Sequence, residues 1–383
     1  MAKKDLYVEL CKSSELLLPK QDRSTILQAL HQTIPEADLR VYFLLSFGQS
    51  LPLEKLYAKA ARLKMTPGEV DEALGRLYKE FFVLRYHKPE GVHYERCPLT
   101  MTAEQQVRAK KGTALGKLYS DYWIKLTVDT VKVLPTHTPY LRIMPVEAAI
   151  GAGANAVEIP VQAEVPDPRQ VMPLDVVSDL VRNQRVVGVA ECYCRAMKEF
   201  QGQHCEKPRE TCFVFNEFAE SLIEQGIARR LELNEALALM VRAERAGLVH
   251  NADNFQGQIR SICSCCSCCC PGLQAAARGQ KNVQAVSRYV SAFEAEKCEH
   301  DYACVDICPI NAIGQYGGDP QFDHEICFGC GLCVTVCPSG ALSMTVRSKT
   351  PGIPRTSKEL NSRLMREAVV GLAVNTLTGR KAG

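Results

Sequence analysis

Six thiols crowd into the eight residues Cys263-Ser264-Cys265-Cys266-Ser267-Cys268-Cys269-Cys270. Core packing does not call for this. Thiolates are ligands for zinc and for iron–sulfur clusters, whereas thiols left free and exposed invite oxidation. Cys192, Cys194, Cys205 and Cys212 lie upstream. Alternate side chains of an extended segment share a face, so Cys263, Cys265 and Cys269 are expected on one side and Cys266, Cys268 and Cys270 on the other, each triad facing its own metal centre. Cys192-Tyr193-Cys194 reads as the continuation of a strand, with its two thiols on one face roughly 6.5 to 7 Å apart. Ten sulfurs suffice for two cubanes with two to spare. One or two additional 4Fe-4S clusters are expected here, spacing alone leaves the assignment of cysteines open, and zinc is the rival metal.

A more specific pattern follows near the C-terminal end. Cys327-x2-Cys330-x2-Cys333-x3-Cys337-Pro338 has the spacing by which three thiolates wrap three corners of one cubane while the fourth points to another cluster. The partner motif is present upstream as Cys298-x5-Cys304-x3-Cys308-Pro309, and AIGQYGGDPQFDHEI between them suits a short hairpin. Residues 293 to 347 therefore resemble a bacterial-type two-cluster ferredoxin domain. The resemblance implies cluster two on Cys308, Cys327, Cys330 and Cys333, and cluster one on Cys298, Cys304 and Cys337. It departs from the family at Asp301, which stands where the second cysteine of the first motif belongs. Asp301 is expected at or beside the fourth corner of cluster one, giving either a 4Fe-4S cluster with one oxygen ligand or a 3Fe-4S cluster. A solvent-facing Asp301, with water or His300 completing the site, is the plainer alternative.

Cations flank these cysteines: Arg195, Lys207, Arg209, Arg260 and Lys297. Positive charge beside an anionic cluster stabilises its reduced form. Each of these residues is equally readable as a solvated surface side chain. His204, His300 and His324 are taken as supporting or surface residues, and Cys11 and Cys97 as ordinary core thiols.

The elements that position this chemistry can be read more coarsely. A chain of 383 residues should hold about two or three domains, and its net charge of +3 names no polyanionic partner. No run approaches the length of a membrane span, and MAKKDLYVEL has no apolar stretch behind its lysines, so a soluble, cytoplasmic protein is expected. In a reducing cytosol metal is a better reason for nineteen cysteines than disulfides. Seventeen of them lie between Cys192 and Cys337, which makes the N-terminal half scaffold and the C-terminal half the working one. Thr66-Pro67-Gly68-Glu69 forms a capping box ahead of Val70, Leu74, Leu77 and Phe81, predicting an amphipathic helix. FVLRYHKPEGVHYER predicts a hairpin. Together these resemble a winged helix-turn-helix, but the candidate recognition helix sets Glu69, Asp71, Glu72 and Glu80 against Arg76 and Lys79 and so repels phosphate; basic Arg85, Lys88 and Arg96 on the wing keep DNA contact open, and a protein-docking or structural role is the preferred expectation.

One helix over 102 to 133 and a Pro-rich connector are expected next. GAGANA at 151 to 156 lacks the strand context of a dinucleotide fingerprint. LDVVSDLVRNQ reads as a helix and RVVGVA as a strand ending at Cys192. Two further helices follow, closed by Gly226 and Gly247. The expected fold is α+β and multidomain: a helical, winged-helix-like segment over 1–135, a central cysteine-rich α/β segment over 136–292, a ferredoxin-like dicluster domain over 293–348 and a helical tail over 349–383.

No P-loop, HExxH or G-x-S-x-G appears. The expected function is one-electron transfer through two ferredoxin-type clusters and one or two more, as a subunit or partner of a larger oxidoreductase rather than a stand-alone enzyme. Two alternatives remain: an iron–sulfur redox-sensing transcriptional regulator, and an enzyme whose open corner at Asp301 binds substrate. ECYCR, EKPRETCF and the dense cysteine stretch also resemble uncharacterised iron–sulfur proteins of anaerobes, a resemblance that lends no mechanism.

Overall fold

The computed structural model describes residues 5–14, 23–133, 137–151, 176–280, 283–349 and 352–378. Its N-terminal region is helical, with a short strand β1 (Leu51–Pro52) ahead of the capped helix. The Thr66 hydroxyl accepts the Glu69 N–H at 3.3 Å and the Glu69 carboxylate accepts the Thr66 N–H at 2.7 Å, closing the box and starting the Pro67–Lys79 helix. Val70, Leu74 and Leu77 are buried on one face, at the predicted spacing. Phe81, at φ 63°, turns the chain out of the helix into the hairpin of β2 (Val83–Lys88) and β3 (Gly91–Arg96), which sits in a sheet of order β1-β3-β2.

This hairpin docks inward. Tyr78 donates from its hydroxyl to Glu224 at 2.7 Å, and Arg85 pairs with the same carboxylate. Lys88 donates to the Ser50 hydroxyl at 2.9 Å, and the Arg96 guanidinium lies over the Tyr42 ring at 5.5 Å. All three basic wing residues are therefore engaged within the chain.

Where one helix over 102 to 133 is expected, two form: Leu99–Ala109 and Ala114–Val133. Lys110-Lys111-Gly112-Thr113 breaks the run, because Gly112 takes φ 75° and the Thr113 hydroxyl accepts the Gly116 N–H to start the second helix. Beyond Gly151 the GAGANA segment lies outside the described residues, as do Pro135, Pro160, Pro166, Pro168 and Pro173.

The central sheet collects β4 (Leu141–Met144), β5 (Val187–Glu191), β6 (Glu210–Phe215), β7 (Ala228–Leu231), β8 (Val249–Asp253), β9 (Ser261–Cys265) and β10 (Gln284–Ala285). Their spatial order is β10-β4-β8-β9-β6-β5-β7, and every pairing is antiparallel except that of β10 with β4. The Asn216–Glu224 and Leu233–Arg245 helices follow β6 and β7, with Gly226 and Gly247 in the left-handed region just past their ends. One cluster of buried side chains runs from Tyr7 and Leu10 through Trp123 to Cys192, Cys212 and Cys266, so the helical segment and the cysteine-rich segment share packing.

The C-terminal region pairs β11 (Tyr289–Phe293) with β14 (Leu342–Val346) and, between them, β12 (Ile313–Tyr316) with β13 (Asp319–Phe322) in the expected hairpin. Short helices Ala303–Ile307 and Leu332–Thr335 fill the space between the pairs. The Ser357–Thr378 helix packs back through buried Leu360 and through Glu367, which accepts the His137 and Thr138 N–H groups at 2.8 Å each. Among the described residues no helix is long and apolar enough to cross a membrane.

Candidate metal centres

The central thiols divide into two groups. Cys205, Cys266, Cys268 and Cys269 have their sulfurs within 4.8 Å of one another; Cys205 stands 3.9 Å from Cys266 and 3.6 Å from Cys268. Only Cys268 of the four is exposed. Neighbouring Cys269 pulls the Cys266 thiol down to about 5, with Arg195 helping, against the effect of burial.

The other six form a chain of neighbours. Cys192 neighbours Cys194 and Cys212, Cys212 neighbours Cys263, Cys263 neighbours Cys265, and Cys265 neighbours Cys270. The sheet makes this possible: Cys212 on β6 is the register partner of Cys263 on β9, and the two-residue period of β9 places Cys265 on the same face. Cys194 and Cys212 beside it hold Cys192 well below the usual thiol range, as Cys212 and Cys265 do for Cys263.

Two expectations are corrected here. Alternation across 263 to 270 fails after Cys265, where the strand ends. The Cys266 carbonyl accepts the N–H groups of Cys269 and Cys270, at 3.4 and 3.0 Å, and this tight turn sends Cys269 to join Cys266 and Cys268, and Cys270 to join Cys263 and Cys265. Likewise Cys192 and Cys194 do not continue a strand. β5 stops at Glu191, the Cys192 carbonyl accepts the Ala196 N–H at 3.1 Å, and Cys194 sits in the first turn of the Tyr193–Phe200 helix.

Charge separates the flanking cations by role. Lys207 donates to the Ala246 carbonyl, Arg209 pairs with Glu191 and Glu199, Arg260 with Glu95, and Lys297 with Glu294. Arg195 alone of the five turns to the thiols. It is fully buried, donates to Thr211 Oγ1 at 2.6 Å, and among the described residues has no carboxylate at ion-pair distance. Burial opposes its charge, but Cys192, Cys266 and Cys205 outweigh burial and raise its pKa. A buried cation needs buried anions, and here the available anions are thiolates. That fits metallated cysteines. Sequence reasoning missed Arg108, whose guanidinium faces Cys212 and Cys192 and lies 4.9 Å from the Tyr193 ring centre; nothing in its local sequence marks it. His204 is exposed, His300 is turned to Asp319 at 2.7 Å, and the His324 ring lies near Phe322.

Within the ferredoxin-like segment, a pair of loops repeat one another. His300 and Tyr302 flank Asp301 at φ 58° and 56°, as Gly329 and Gly331 flank Cys330 at φ 71° and 80°. Asn311 at φ 57° and Gly340 at φ 67° each stand three residues past the x3-Cys-Pro cysteine. Non-glycine residues adopt this region reluctantly, so their presence at matching positions marks a shared loop shape, with Asp301 in the place of Cys330. Cys304 has Asp301 and Cys298 as its charged neighbours, and the Asp301 carboxylate accepts the Ala303 N–H at 3.1 Å. Cys308, Cys327, Cys330 and Cys333 are mutual neighbours. Burial pushes the Cys330 thiol up to about 12, so it ionises only with a cation to compensate. The Ala312 N–H donates to Cys308 Sγ at 3.2 Å and the Gly329 N–H to Cys327 Sγ at 3.4 Å, as cluster-bearing thiolates require. Cys337 lies 3.5 Å from the Ser339 hydroxyl and packs on the apolar cluster that holds Cys304. Arg347, also missed from sequence, clamps the second loop by donating to the Cys327 carbonyl at 2.6 Å.

The central and ferredoxin-like segments touch. The Val146 N–H donates to the Cys330 carbonyl at 2.8 Å, and Cys265 and Cys270 pack against the same apolar cluster as Cys308, Cys327 and Cys333.

Comparison with known proteins agrees with this geometry at the C-terminal end. Residues 320–343 match the 4Fe-4S binding domain family, so the chain carries a ferredoxin-type 4Fe-4S domain there. Over 48 residues it is 44% identical to Hydrogenase-4 component A of Escherichia coli, covering 12% of this chain and 23% of that protein. Over 67 residues it is 39% identical to Electron transport protein HydN of the same species, covering 18% and 36%. It is 38% identical over 50 residues to Formate hydrogenlyase subunit 2, covering 12% and 25%. The chain thus matches only about a quarter to a third of the length of these relatives. No solved structure matches.

Proposed function

We propose that this chain is a one-electron relay within a larger oxidoreductase, with two clusters in its ferredoxin domain and further metal centres on its central thiols. The supporting relatives are, by name, a hydrogenase component, an electron transport protein and a formate hydrogenlyase subunit. One observation carries the reading: two adjacent groups of thiols lie between exposed Cys268 and the ferredoxin domain, and Cys265 and Cys270 of the second group pack against that domain's core.

In this reading Cys308, Cys327, Cys330 and Cys333 hold one 4Fe-4S cluster, and Cys298, Cys304, Cys337 and Asp301 hold the other. Such clusters accept and release single electrons with little rearrangement. The chain's own residues do the rest. Backbone N–H groups and Arg195 stabilise negative charge on sulfur, and the apolar shell around Cys330 and Cys333 excludes water. The regulator alternative loses support, because Arg85, Lys88 and Arg96 are engaged inside the chain.

Oxygen-free protein mixed rapidly with reduced titanium citrate and freeze-quenched for paramagnetic resonance tests the proposal. Ferredoxin and central signals should both appear within the mixing series. Reduced ferredoxin clusters beside central centres that stay oxidised, or DNA retardation that depends on cluster state, would overturn it.

A further inference from the structure

Ten central thiols divide unevenly. Cys205, Cys266, Cys268 and Cys269, with neighbouring sulfurs 3.6 to 3.9 Å apart, close around a site of single-ion size. Six thiols remain. A lone cubane takes four thiolates and would leave two of the six idle beside buried cations, while two separate cubanes need eight. Two joined cubanes balance: three thiolates cap three corners of each, and one shared sulfide bridges the corner left over on each.

Three observations favour the joined form. The six thiols are contiguous: Cys212 and Cys263 are register partners, Cys265 shares the face of Cys263, and Cys192 with Cys194 and Cys270 extend the run at its two ends. They are also spread out. Among the described residues only the Cys205 group has three or more ligand atoms all within 4.8 Å of one another, so no three of the six close around a single ion. They line something larger than a zinc site, where sulfurs about 2.3 Å from one metal must crowd together. Thirdly, two guanidinium groups face the six: Arg195 toward Cys192, and Arg108, with Glu104 beside it, toward Cys212 and Cys192. Arg195 also faces Cys266 and Cys205, so it lies between the two thiol groups. Cations enclosed in this way match a strongly anionic centre.

We propose that Cys192, Cys194, Cys212, Cys263, Cys265 and Cys270 together hold one eight-iron centre, two cubanes joined through a shared sulfide, beside the four-cysteine metal site at Cys205. The inference rests on the iron–sulfur reading above. The two centres meet at the peptide bond between Cys265 and Cys266.

The test uses the full chain purified without oxygen, with iron and acid-labile sulfide counted and Mössbauer spectra taken for the parent and for each of the six single Cys→Ser variants. Each of the six should diminish the same spectral component, with a loss of roughly eight irons per chain, whereas Cys205→Ser should leave that component intact. Two of the six variants retaining full iron and an unchanged spectrum would mean one cubane and two idle thiols, and would overturn the inference. Should variants fail to fold, the parent decides: the iron in excess of the ferredoxin clusters should come to about eight per chain, and about four overturns the inference. A parent that contains zinc and no sulfide defeats the iron–sulfur reading itself, a result distinct from either.

Discussion

Cys265 and Cys266 are adjacent in the chain and belong to different thiol groups. Cys265 lies beside Cys263 and Cys270, while Cys266 lies 3.9 Å from Cys205 and beside Cys269. The end of β9 falls between them, and the tight turn that follows swings Cys266 off the face that Cys263 and Cys265 share. Substituting serine at each should therefore remove different signals. Cys266→Ser should release the metal of the Cys205 site and leave the Cys265 component intact, and Cys265→Ser should do the reverse. Identical difference spectra for the two variants would show that they serve one centre.

Asp301 occupies the loop position that Cys330 occupies in the second repeat, between two left-handed residues. Asp301→Cys should supply a thiolate to the fourth corner. The iron content should rise by about one per chain if the parent holds three irons there, and otherwise the potential of that cluster should fall as a softer, more strongly donating ligand replaces oxygen. Iron content, potential and paramagnetic spectrum all unchanged would place the carboxylate away from the cluster.

Arg195 is a buried cation facing Cys192, Cys266 and Cys205. Removing its charge with Arg195→Gln should disfavour the reduced, more negative state of the neighbouring centres. Their potentials should move negative by on the order of 50 to 100 mV, as expected for a unit charge several ångströms away at an intermediate effective dielectric. Arg195→Lys should restore part of the shift. Potentials that hold steady in a correctly loaded glutamine variant would show that the charge acts on packing alone.

Asp253 is buried on β8, and its carboxylate accepts the Arg260 and Ser261 N–H groups at 2.6 and 3.3 Å. Burial pushes its pKa up from 3.8 to about 6, only partly opposed by those bonds and by the Arg260 charge. Because the folded value exceeds the unfolded one, the fold binds the proton more tightly. The stabilisation is present below about pH 4 and is lost as pH rises through about 6, a change of about 3 kcal/mol. Asp253→Asn keeps an acceptor and removes the titration, so its melting temperature should gain on the parent's by a few degrees between about pH 4.5 and 6.5. A difference between the two proteins that does not change with pH would contradict this account.

What the sequence determined by itself was local. Thiols at x2, x2 and x3 spacing encode their own loop, because three corners of a cubane lie within reach of one short segment. Hence the loop of Cys327, Cys330 and Cys333 and the matching loop that carries Asp301 ahead of Cys308 were legible as a repeated pair. The capping box at Thr66 and Glu69 and the hairpin beyond it were legible for the same reason: their partners lie three to about ten residues away.

The division of the ten central thiols was decided only by the tertiary structure. Their neighbours come from β6, from β9, from the starts of the Tyr193–Phe200 and Pro271–Ala277 helices and from the loop at Cys205, so sheet register and the turn after Cys265 choose the partners, and spacing along the chain does not. Arg195 and Arg108 followed the same logic. Whether an arginine faces solvent, a carboxylate or a thiol depends on what distant segments bring against it, and no property of its own neighbours in sequence records that.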